Sequence, residues 1–100
     1  MRTLINTEIL ELTVPANNTI TGNTRHLEGM LGQVLVKGPT DVALFDIKIT
    51  NNRSLVIYER VGETEPLADA TLQIPILGIY TIELSNATEG AFTVELMQTS

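Results

Sequence analysis

The sequence predicts an all-β protein, an antiparallel β-sandwich of jelly-roll type built from about eight strands. Three observations predict it. Large apolar residues alternate with polar ones at period two, most cleanly in Tyr80-Thr81-Ile82-Glu83-Leu84, Phe92-Thr93-Val94-Glu95-Leu96 and Phe45 to Thr50. This alternation gives each segment one buried face and one wet face. Segments of this kind recur at roughly 8–12-residue intervals, the spacing of sandwich strands. The composition agrees: 43% of residues are hydrophobic, yet there are only two Phe, two Tyr and no Trp, so Val, Ile and Leu must fill the core. Such β-branched and aliphatic residues, together with 14 Thr, suit a pleated surface.

In chain order, the first strands are expected at Glu8 to Val14 and Asn18 to Gly22, separated by the turn-forming Pro15-Ala16-Asn17-Asn18. Gln33 to Lys37 follows and stops at Gly38-Pro39. In Val42 to Thr50, Phe45, Ile47 and Ile49 face inward against Asp46, Lys48 and Thr50; a slip of one residue would bury Asp46 and Lys48. Asn51-Asn52 predicts a hairpin into Ser54 to Arg60. Ala70 to Leu77, Ile79 to Ser85 and Ala91 to Met97 complete the set, the last two expected to form a hairpin across Ser85 to Gly90. Two stretches do not read as strand: Thr24 to Leu31, a helical turn or loop, and Gly62 to Asp69, an acidic exposed loop. Residues 1–100 form one domain.

The charge narrows the partners. A net charge of -6, with two Lys and four Arg scattered along the chain, argues against nucleic acid, whose backbone demands clustered cations. Cysteine is absent, which excludes disulfides, thiolate metal sites and cysteine nucleophiles. The N-terminal segment has no apolar signal region, and Leu72 to Leu84 is broken by Gln73, Pro75, Gly78, Thr81 and Glu83, so neither export nor membrane insertion is expected. Asn17, Asn52 and Asn86 head Asn-x-Ser/Thr sequons and read as turn asparagines.

No catalytic constellation emerges. His26 is the only histidine, and Ser54, Ser85 and Ser100 lie in no nucleophile elbow. Glu83 and Glu95 occupy matched positions of the expected closing hairpin, but their Thr neighbours place them on a wet face. Glu63, Glu65 and Asp69 are the sole candidate calcium cradle and lack the spacing of a dedicated loop. The expectation is a protein without catalytic residues, cofactor or metal.

Surface remains. Val34-Leu35-Val36 and Ile74-Pro75-Ile76-Leu77 do not alternate, and Pro75 belongs on an edge strand because it cannot donate a ladder hydrogen bond. An apolar edge aggregates unless it is covered. Val34, Val36, Ile74, Pro75, Ile76 and Leu77 are therefore the expected oligomer interface, the alternative being that Ile74 and Leu77 merely cap the core beneath a loop.

The closing segment, Gly78-Ile79-Tyr80-Thr81-Ile82-Glu83-Leu84 and Gly90 to Leu96, resembles the last two strands of jelly-roll carbohydrate-binding and pre-peptidase modules. The whole chain looks more like the small jelly-roll cement or decoration proteins of tailed bacteriophages. That likeness rests on a Met1 start running into a strand, about 100 residues, no cysteine, no export signal and an acidic, Thr-rich, aliphatic all-β profile. It implies a homo-oligomer, a trimer foremost, made in the host cytoplasm and bound to the major capsid protein on the virion surface. Met1 to Thr7 would then be a flexible arm, with Arg2, Thr3, Leu4 and Ile5 as its capsid contacts, and Gly62 to Asp69 an outward loop. The alternative is a small carbohydrate- or receptor-binding module.

Overall fold

A computed structural model describes residues 4–99 of the chain. The strands are β1 (Leu4–Val14), β2 (Ile20–Asn23), β3 (Leu27–Lys37), β4 (Leu44–Thr50), β5 (Val56–Thr64), β6 (Leu67–Asp69), β7 (Ile74–Gly78), β8 (Thr81–Ser85) and β9 (Gly90–Thr99). All pairings are antiparallel and form two sheets. One sheet runs β1-β9-β3, with β6 and β7 following one another along the free side of β3; the other runs β2-β8-β4-β5. The first strand pairs with the last, β2 with β8, β3 with β7 and β6, and β4 with β5. This is a long hairpin rolled up on itself until β9 meets β3 and β8 meets β4, which is jelly-roll topology; the alternation and spacing predict the antiparallel sandwich, and the pairings supply the strand order.

Burial follows the pleat. Phe45, Ile47 and Ile49 of β4 and Ile82 and Leu84 of β8 point inward against Val34 and Val36 of β3 and Phe92, Val94 and Leu96 of β9. The Phe45 and Phe92 rings meet edge to face across the two sheets, their centroids 5.7 Å apart. Tyr58 and Tyr80 are buried as well, so every Phe and Tyr ring of the chain lies inside.

Three expectations are corrected. The closing segment is not a hairpin: β8 pairs with β2 and β4, whereas β9 pairs with β1 and β3, so the chain crosses between sheets at residues 86–89. Period-two alternation fixes which face of a strand is buried and says nothing of which neighbour it bonds. Leu27 to Leu31 is not helical but the first part of β3, paired with β7. Leu27 and Leu31 both face the core, and a bulge between Leu31 and Gln33 resets the parity so that Val34 and Val36 also face inward. Gly62 to Asp69 is not a loop, since β5 continues to Thr64 and β6 begins at Leu67. There the register with β4 shifts between Phe45 and Ile47, and Gly62 adopts φ 70°. Its N–H donates to Asp46 Oδ1 at 2.7 Å, which anchors the bulge.

Of the residues expected in a flexible arm, Leu4, Asn6 and Thr7 are register partners of Thr99, Gln98 and Met97 in β9. Residues 4–7 are therefore a stretch of sheet. Arg2 and Thr3 lie outside the described residues, and for Leu4 and Ile5 only the backbone is described.

Candidate interaction surface

The expected interface residues separate into two groups. Val34 and Val36 are 0% exposed and Ile76 is buried. They belong to the core because β3 is flanked on both sides, by β9 and by β6 with β7. Ile74 packs half-buried against that core. Only Pro75 and Leu77 face outward, Pro75 on an edge strand as its missing N–H requires.

The exposed large aliphatics lie elsewhere: Ile9, Val42, Leu44, Leu55, Val56, Val61, Leu77 and Ile79. Ladder register sorts them by position along the sandwich. Val14 lies opposite Gly90, and Asp46 opposite Ser85, so the connections of residues 15–19, 38–43, 65–66 and 86–89 share one end. Val42, Leu44 and Val61 are at this end. Leu27 lies opposite Gly78, and Thr50 opposite Thr81, so residues 24–26, 51–55 and 79–80 share the other. Leu55, Val56, Leu77 and Ile79 are at that end. Ile9 stands away from both ends, on the outer face of its sheet in a row with Glu95 and Leu35.

Both ends are held by hydrogen bonds. At the first, Asn18 Nδ2 donates to the Ala87 carbonyl at 2.7 Å, Thr88 N–H to the Leu44 carbonyl at 2.9 Å and Glu65 N–H to the Ala43 carbonyl at 2.8 Å, which laces all four connections together. Asn86, at φ 46°, donates through Nδ2 to Asp46 Oδ2 at 2.8 Å. The Asp46 carboxyl titrates below its usual range, mainly through the Gly62 N–H and then through Asn86. At the second end, Thr24 and Tyr80 exchange two bonds of 2.9 and 3.0 Å. The Asn51 side chain accepts from the Arg53 and Leu55 N–H groups, and the positive φ that hairpin needs falls on Ser54. These hydrogen bonds fix the conformation of both ends, and fixed segments have little freedom left to lose in a contact.

The polar candidates do not assemble into a site. Glu83 lies opposite Thr21 and Lys48, and Glu95 opposite Ile9 and Leu35, on different sheets. His26 is exposed. Asp69 is engaged by Arg60 at 2.7 Å and the Tyr58 hydroxyl at 3.1 Å, and Arg60 holds its carboxyl below the usual range. Among the described residues no group of three potential ligands could hold a metal ion. Glu8 is buried on β1 and accepts the Arg25 backbone N–H at 2.7 Å and the Arg25 Nε–H at 3.0 Å. Sugar-binding faces rely on exposed rings to stack on the ligand, and here all four rings are inside.

Of the exposed aliphatics at the two ends, only Leu77 is among the interface residues expected from the sequence. A signal was present: Leu55-Val56-Ile57-Tyr58 places apolar residues at four successive positions, and a strand can bury only alternate ones. The chain matches no protein-family model and no curated protein in sequence.

Proposed function

We propose that this chain is a non-catalytic structural protein, a virion decoration subunit that self-associates and binds the surface of a phage capsid. The observation that carries the reading is the placement of the exposed aliphatics. Seven of the eight sit at the two ends of the sandwich, on hydrogen-bonded platforms, and only Ile9 stands apart. Apolar patches of this kind are costly in water and are the mark of surfaces meant to be covered. A protein working through platforms needs no cleft, and this one fills its interior with Phe, Val, Ile and Leu. The capsid as the partner rests on the profile resemblance; its major capsid protein would supply the contact.

The test is co-sedimentation of the purified protein with assembled phage shells, alongside binding to immobilised glycans. Saturable binding to shells without glycan binding is expected. Glycan binding with no affinity for shells would overturn the capsid reading in favour of a lectin-like module.

A further inference from the structure

The two ends differ in charge as well as in shape. Within the connections of the first end stand Asp41, Glu65 and Glu89 with no Lys or Arg, and Glu63 adjoins them at the end of β5. The nearest base is Lys37, the last residue of β3, in a cross-strand row with Thr93 and Glu11. Within the connections of the second end stand Arg25, His26 and Arg53 with no Asp or Glu. Glu8 reaches that end and pairs with Arg25 at 3.0 Å, so the two charges offset each other and Arg53 is the arginine there that enters no ion pair among the described residues; Glu28 lies one residue inside the end on β3. Each end also presents aliphatic side chains to solvent: Val42 72% and Val61 70% exposed at the acidic end, Leu55 61% and Leu77 71% at the arginine end. Opposite charge around apolar centres is the arrangement that steers and orients a protein contact.

We propose that the partner of each end is the opposite end of a second copy of this chain. This rests on the self-association in the proposed function and specifies its geometry. The contact is heterologous, because two different surfaces meet. It therefore propagates into a ring where the rotation closes and into an open chain where it does not. Val42, Leu44 and Val61 of one copy cover Leu55, Leu77 and Ile79 of the next, with Asp41 and Glu89 facing Arg53.

Heterologous contacts are tested by complementation. One variant carries Val42→Asp and Val61→Asp; the other carries Leu55→Asp and Ile79→Asp. All four positions are exposed, so both variants should keep the wild-type melting temperature to within a few degrees. Native mass is measured by light scattering for wild type, each variant and their equimolar mixture. Wild type should associate, with affinity falling about tenfold between roughly 0.05 and 0.5 M salt as the charges are screened. Each variant alone should be monomeric, because every contact needs one damaged end. The mixture should give a two-subunit species, because each variant keeps the end that the other has lost. Self-association of either variant at wild-type strength, or a mixture that stays monomeric while wild type associates, would overturn the end-to-end contact and leave self-association standing. Monomeric wild type at every concentration would overturn both, and shell binding by that monomer would still uphold the capsid partner.

Discussion

Asp46 links a turn, a bulge and a strand through one carboxylate. One oxygen takes the Gly62 N–H and the other the Asn86 amide, so β4, the β5 bulge and the crossing to β9 are tied at one point. Asp69 does the same between sheets, joining β6 to Arg60 and Tyr58 of β5. Both carboxyls titrate below the ordinary value of 3.8 when folded. Each therefore adds stability that is fully present above pH 3.8 and is lost as pH falls through its lower folded-state value. Asp46→Ala should cost roughly 0.5–1.5 kcal/mol at neutral pH, toward the low end because water competes at this exposed site. The penalty should shrink as pH drops below 3.8. Urea unfolding of wild type and variant at pH 7 and pH 3 checks this, and a penalty equal at both values would remove the carboxylate from the explanation.

At the scale of elements, inward faces were legible, and strand partners only at the β4–β5 hairpin. Phe45, Ile47 and Ile49, the β4–β5 hairpin and the edge position of Pro75 all follow from alternation and turn chemistry. The β8–β9 crossing does not, because a strand pairing within its own sheet and one leaving for the other have the same period. Val34 and Val36 read as a surface run for a related reason: Val34-Leu35-Val36 carries no polar alternation, so the pattern does not tell the face that meets the other sheet from the face that does not. The crossing depends on Gly90, at φ 133°, where an added Cβ would lie 2.7 Å from the Pro39 ring. Gly62 also has positive φ, but nothing lies within 4 Å of its Cβ position. Gly62→Ala should thus cost about 1 kcal/mol for backbone strain alone, and Gly90→Ala more, toward about 3 kcal/mol. Equal losses in denaturant melts would mean that Pro39 yields freely. The start of β1 is tested in the same way. Deleting residues 1–7 removes the ladder partners of Thr99, Gln98 and Met97 and should lower Tm by roughly 5–10 °C. An unchanged Tm would return those residues to the role of a free arm.

At the scale of the whole molecule, the roll makes the chain indivisible. The sheet of β1, β9, β3, β6 and β7 and the sheet of β2, β8, β4 and β5 each draw strands from both halves of the sequence, and the outermost pairing joins the first strand to the last. Neither half can build a sheet alone, so the structure should unfold in one step. The core reinforces this, because Phe45 and Phe92 touch across the two sheets and loss of either ring loosens both at once. Phe92→Ala should cost about 3–5 kcal/mol, a large part of the ~5–15 kcal/mol that holds a domain of this size together. Phe92→Leu should cost much less, because most of the volume is kept. Two probes watch different parts of the fold: far-UV circular dichroism follows all strands, and tyrosine fluorescence follows Tyr58 on β5 and Tyr80 beside Thr24. Their denaturation curves should superimpose, in wild type and in Phe92→Leu alike. If tyrosine emission changed at lower denaturant than circular dichroism, β5 and the arginine end would be opening as a separate unit. The docking platform there would then form only as a partner binds.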